Sequence, residues 1–167
     1  MLLINALLMI GFGAVCGYLS AMESAVSDLG MVDPFGRSSH IYDIGKKMET
    51  SFLLIVGLLV NTLTLYVFAK IDGFTTFVSI AVAAICVVLS FSVSSFTTTK
   101  TNHNDINACN RVRHAFESGK KMTADEAESE WKYAERACER LFHEYSQAKT
   151  IAVVAAVIPF VMIVASK

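Results

Sequence analysis

Four long stretches of this sequence contain no Asp, Glu, Lys, Arg or His: residues 2–22, 51–69, 73–96 and 150–166. Transporters coupled to ions or protons usually keep at least one ionisable group at membrane depth, so this absence argues against that class. It also leaves a pore-forming or lysis-type protein as a minor expectation, because no polar stripe is present to line water. Proline occurs only at Pro34 and Pro159, and Trp131 is the single tryptophan. The four cysteines, Cys16, Cys86, Cys109 and Cys138, form no CxxC pair, which argues against a zinc ribbon or a redox dithiol of the thioredoxin type. No glycine-rich phosphate loop, nucleophile elbow or HExxH motif occurs. With a net charge of −1 there is no global field to attract nucleic acid. Neither a cofactor nor a metal is expected. His103, His114, Glu117, Glu139 and His143 include pairs that share helix faces, but carboxylate-bridged metal sites need ligands from further helices.

What is present is apolar. Hydrophobic residues make up 54% of the chain and charged ones 17%; soluble domains run at about 45–50% and 25%. The four uncharged stretches have the length of bilayer-spanning helices, and none alternates like a barrel strand. The expected fold is therefore all-α: one polytopic membrane domain over 1–167 with four transmembrane helices. The first stretch also resembles a signal peptide in position, but no basic residue precedes it, so a retained helix is expected. Ser24–Leu29 should continue it, Asp33-Pro34-Phe35-Gly36 reads as a turn, and Arg37–Thr50 as a short helix. Between spans two and three the link of Lys70, Ile71, Asp72 and Gly73 is short enough to make an antiparallel pair.

Basic residues set the expected orientation. Segments 23–50 and 97–149 hold twelve of the fourteen Lys and Arg, against Lys70 and Lys167 elsewhere. By the positive-inside tendency both segments would lie in the cytoplasm and both termini outside.

Within the spans, small residues recur four apart at Gly13 and Gly17, Ser79 and Ala83, and Ala152 and Ala156. Such pairs let membrane helices approach closely. Asn61 is expected to fix packing through an interhelical hydrogen bond; the alternative is a place in a ligand pocket. Pro159 should kink the last span.

The charged segment 97–149 carries the clearest pattern. Thr123 and Glu126 form a capping box. From there Ala127, Trp131, Ala134, Cys138, Leu141, Tyr145 and Ala148 follow in steps of four and three, straight into the fourth span. This predicts one helix over 124–166, about 64 Å long, with an apolar interaction seam. The third span is expected to continue through Ile106, Cys109, Val112 and Phe116 to a break at Ser118-Gly119-Lys120-Lys121. The two extensions would then pack as a helical hairpin outside the membrane with Cys109 and Cys138 as neighbours, two buried thiols if the segment is cytoplasmic and a disulfide if it lies outside the cell.

Several features, taken in order, resemble a four-helix membrane family of unknown function that includes the fungal anthrone oxygenases. They are the glycines of the first span (Gly11, Gly13, Gly17), Gly45-Lys46-Lys47 before the second, Thr101-Asn102-His103-Asn104-Asp105-Ile106-Asn107 after the third, and Trp131, Arg136 and Lys149 before the fourth. Thr101 stands where the family has proline, and Lys149-Thr150 where it has Arg-Thr. The resemblance implies a cofactor-independent pocket for an aromatic substrate, with Asn102, Asn104 and Trp131 carried over and Asn61 nearby.

Two expectations of function therefore stand side by side. One is a non-catalytic structural or interaction subunit of a membrane assembly, working through the helical hairpin as a homo-oligomer or within a larger complex. The other is an anthrone-oxygenase-like enzyme or binder of small aromatic ligands.

Overall fold

The computed structural model describes residues 2–32, 35, 39–74, 76–100, 103–119 and 121–165. All regular structure among them is helical: α1 Leu2–Gly30, α2 Ser39–Lys47, α3 Ser51–Ile71, α4 Phe77–Lys100, α5 Asn104–Glu117 and α6 Ala124–Ala165. Four of these, α1, α3, α4 and α6, are long and apolar enough to cross a membrane.

One end of the bundle has an apolar surface. Phe52, Leu59, Leu63, Val88, Phe91 and Ile151 are all largely exposed there, on the helices long and apolar enough to cross a membrane. At the other end, the last turns of α1, together with α2, α5 and the first half of α6, form a charged cap whose core is continuous with that of the spans. Ile41, Met48, Ile106, Val112, Trp131 and Leu141 are buried in it.

Helix α1 is the axis and packs against each of the other five helices. Its small residues explain how. A Cβ at Gly13 would lie 2.6 Å from the carbonyl oxygen of Cys86, and one at Gly17 would strike the carbonyl oxygen of Ser90. The Gly13–Gly17 step therefore seats α1 directly on the α4 backbone, as small residues four apart allow. On the α3 side, Gly57 leaves room for the Phe12 ring. Ser79, Ala152 and Ala156 are buried as well.

The capping box is formed: the Thr123 N–H donates to Glu126 Oε2 at 2.9 Å and the Glu126 N–H to Thr123 Oγ1 at 3.3 Å. From that start α6 runs unbroken past Pro159. The 4-3 stripe is its inward face. Trp131, Ala134, Cys138, Leu141 and Tyr145 are buried and Ala127 is half-buried. Ala137 is buried too, so the stripe is wider than a two-position seam. The reason is that α6 meets α1 as well as α5. Helices α5 and α6 run antiparallel, matching Asp105 to Arg140, Cys109 to Cys138 and Arg111 to Glu130.

Two expected boundaries differ. The third span begins at Phe77, not Gly73, because the chain leaves α3 through a glycine with φ +75° and the Phe74 N–H closes on Ala69 O at 2.7 Å. Nor does that span continue into α5 as one helix. His103 has extended backbone (φ −72°, ψ 102°) and caps α5 by accepting from the Ile106 N–H, so a new helix starts there. The break after α5 falls as expected, with Gly119 at φ +62°. The residues of the 33–36 turn lie outside the described residues except Phe35.

Candidate functional site at the apolar–charged boundary

Where the apolar surface gives way to the charged cap, polar side chains from distant parts of the chain converge. Tyr18, near the end of the apolar run of α1, donates its hydroxyl to Glu144 Oε1 on α6. The other oxygen of Glu144 lies 3.1 Å from His103 Nε2. Since His103 Nδ1 accepts from the Ile106 N–H, the ring proton sits on Nε2 and points at the carboxylate. The phenol and the imidazole are themselves 6.1 Å apart between ring centroids. One carboxylate thus holds α1, α6 and the α4–α5 junction together.

A second cluster lies at the start of α3. The Thr50 N–H donates to Glu23 Oε2 at 2.9 Å, and the Thr50 hydroxyl to the Tyr145 oxygen at 3.3 Å. Further out, Arg113 on α5 pairs with Asp28 on α1, and Arg140 forms a two-pronged contact with Asp105 at 2.6–3.2 Å. Charge-assisted bonds of this kind fix geometry more firmly than neutral ones.

Of the residues singled out in the sequence as ligand-binding, Asn102 lies outside the described residues. Asn104 is the exposed first residue of α5. Trp131 is buried at the far end of α5, edge-on to Phe116 and Phe35 at 5.9 and 6.4 Å between centroids. Asn104 and Phe116 are twelve positions apart along α5, about 18 Å of helical rise. Asn61 lies within span α3, buried, and donates to Gly57 O of its own helix at 2.8 Å instead of reaching across to a neighbour. Three of the four residues can be located, and they do not converge. Tyr18, Glu144, Glu23 and Thr50 were not singled out. A tyrosine closing an uncharged run was the one local signal, but its partner is 126 residues away.

Cys109 and Cys138 are buried, free, and 3.6 Å apart between sulfurs. The hydrogen bond with Cys109, and then burial, holds the Cys138 thiol well above its usual value of 9.0. Burial likewise raises the Tyr145 hydroxyl above 10.0. For both groups the folded state favours the protonated form. Their contribution to stability is complete below about pH 9 and is lost as the pH rises, because only the unfolded chain deprotonates there. In the folded chain at pH 8, maleimide should react with neither thiol, and in denaturant with both. Rapid labelling of Cys138 in the folded state would contradict the packing of α5 on α6.

Among the described residues no group of three or more His, Cys, Asp or Glu is placed to hold a metal ion. The fold and site together define a class: an all-α protein of four membrane-length helices with a charged helical cap. No protein family, curated protein or solved structure matches the chain.

Proposed function

We propose that this chain is a non-catalytic structural or interaction subunit of a membrane assembly. The α5–α6 helical hairpin and the helices around it form a rigid cytoplasmic docking cap. The observation that carries this reading is the internal use of the polar groups at the boundary. Tyr18, His103 and Glu144, Thr50 with Glu23, and Arg113 with Asp28 each join different helices. Side chains so committed hold a shape more readily than they turn over a substrate.

The seam Ala127, Trp131, Ala134, Cys138, Leu141 and Tyr145 is spent on the chain's own core, so a partner meets the opposite face of α6. There Lys132, Arg136, Glu139 and His143 are exposed. Mixed charge at an exposed face favours a specific, complementary surface over general stickiness. The excess of Lys and Arg in segments 23–50 and 97–149 supports a cytoplasmic cap with both termini outside.

The aromatic-ligand reading has less support. Trp131 is closed in by Phe35 and Phe116, and Asn104 is about 18 Å away along α5.

Photo-crosslinking in native membranes tests the proposal, with a benzophenone side chain at position 136 or 139 and at 131 as a buried control. Adducts are expected at the outer positions and not at 131. Adducts at neither outer position, together with migration as the 18.2 kDa protomer alone in mild detergent, would overturn it.

A further inference from the structure

An apolar groove of about 360 Å³ runs between Val56 and Val60 on α3 and Val153 and Val157 on α6. Glu49 and Lys149 flank its charged end. Beside it, sharing Lys149 and Val153, lies a recess of about 460 Å³ that also takes in Lys47 and Tyr145. The long axis of the groove lies at the depth of the α3 and α6 spans, and its mouth lies at the boundary where the cap begins. Lys47 is the last residue of α2, and Lys149 immediately precedes the fourth uncharged stretch.

Both lysines are placed to receive an anion. Among the described residues the ion pairs use Arg111, Arg113, Lys132, Arg140 and the histidines His40, His103 and His114, and neither Lys47 nor Lys149 takes part in them. The Lys149 ammonium rests 5.7 Å over the Tyr145 ring, which keeps it beside the recess. The nearby hydroxyls of Ser146 and Thr150 donate to backbone carbonyls at 2.9 and 3.0 Å, so the two ammonium groups are the charged donors of the recess. Of the charged side chains that line the two cavities, Lys47 and Lys149 are cations and Glu49 is the one acid, while Glu23 lies behind Thr50 with its carboxylate taken up by the Thr50 N–H.

We propose that this groove binds one anionic glycerophospholipid, with an acyl chain between α3 and α6 and the phosphate between Lys47 and Lys149. The apolar length below a cationic mouth fits an amphiphile, whereas a free phosphate would use the mouth alone. A choline head would bring a third cation beside two lysines. An anionic head avoids that repulsion and adds to the attraction basic residues exert at a membrane surface.

Native mass spectrometry of the full chain in detergent tests this, with phosphatidylglycerol, phosphatidylcholine of the same acyl composition, and inorganic phosphate as probes. One phosphatidylglycerol should be retained in preference to phosphatidylcholine, and each of Lys47→Gln and Lys149→Gln should weaken retention about five-fold. Glu49→Gln should strengthen it. Val157→Trp, which fills the groove and leaves both lysines, should lower retention. Equal retention of the two lipids would overturn the proposal, as would indifference to the lysine substitutions. So would phosphatidylglycerol binding unaffected by Val157→Trp, or displacement of the lipid by phosphate alone. None of these outcomes depends on whether the cap docks a partner.

Discussion

Replacing Trp131 with alanine should remove about 3–5 kcal/mol of stability, the range for truncating a fully buried large aromatic side chain. The indole is 1% exposed and meets Phe116 and Phe35 edge-on. Its N–H donates to Glu135 Oε1 at 3.0 Å. Trp131→Ala therefore leaves a cavity, a Phe35–Phe116 pair that has lost its third ring, and a carboxylate without its indole donor. The damage should begin in the cap, because the rings and the carboxylate that Trp131 meets belong to α5, α6 and the chain before α2. Denaturant unfolding followed by circular dichroism, with maleimide labelling of Cys138 as a local reporter, separates the cap from the spans. Cys138 should become reactive well before helical content falls. Trp131→Phe should cost less, since an aromatic ring still fills most of the space. If Trp131→Ala left stability within about 0.5 kcal/mol of the parent, the change expected for a surface site, the cap would have no packed core around position 131. A role for Trp131 as the wall of an open pocket would then regain ground.

Gly17→Leu is expected to be the most damaging change within the spans, costing about 3 kcal/mol or more as overpacking against backbone. A Cβ there meets the Ser90 carbonyl, with the Ser90 carbonyl carbon and Val93 Cβ at 3.0 Å. A flexible side chain could move aside, but the α4 backbone cannot do so without moving away from α1. Because α1 packs on every other helix, that separation would propagate to α3, α5 and α6. Gly11→Leu is the matched control: nothing lies within 4 Å of its Cβ position. Size-exclusion profiles and melting temperatures in detergent should show the Gly11 variant near the parent and the Gly17 variant aggregated or far less stable. Similar behaviour of the two would mean that α1 and α4 do not touch at this step.

The spans were legible because an uncharged run of bilayer length has few other outcomes, and α6 because Thr123 starts a helix that nothing before the membrane stops. The glycine step was legible as a close contact but not as a contact with α4. Helix α1 is apolar on every side, so periodicity could not reveal which face turns inward or that it would be the axis. The run from Thr101 to Asp105 reads in sequence as a surface cap or loop kink, or as the mouth of a pocket, without a way to choose. Its meaning depends on the His103 side chain turning to accept from the Ile106 N–H, a choice that spacing does not encode. The 4-3 stripe of α6 showed an apolar face without showing its partner. That partner is the chain's own α1 and α5, because α1 continues as helix to Gly30 and reaches the cap. The boundary site was the least legible part. Its bonds join residues 27 to 126 positions apart, and Glu144 looks in isolation like any solvated glutamate.

The central claim is that the apolar end of the bundle is immersed in lipid and the charged cap in water. Electron paramagnetic resonance of spin labels in liposomes tests it most directly, because oxygen concentrates in the bilayer and a nickel chelate stays in water. Labels at Val88 and Leu59, both largely exposed on the bundle, should relax with oxygen and be shielded from nickel. Labels at Lys132 and Glu139 on the outer face of α6 should show the reverse. The buried native thiols should add little background. Nickel reaching positions 88 and 59 as readily as 132 and 139 would contradict the account.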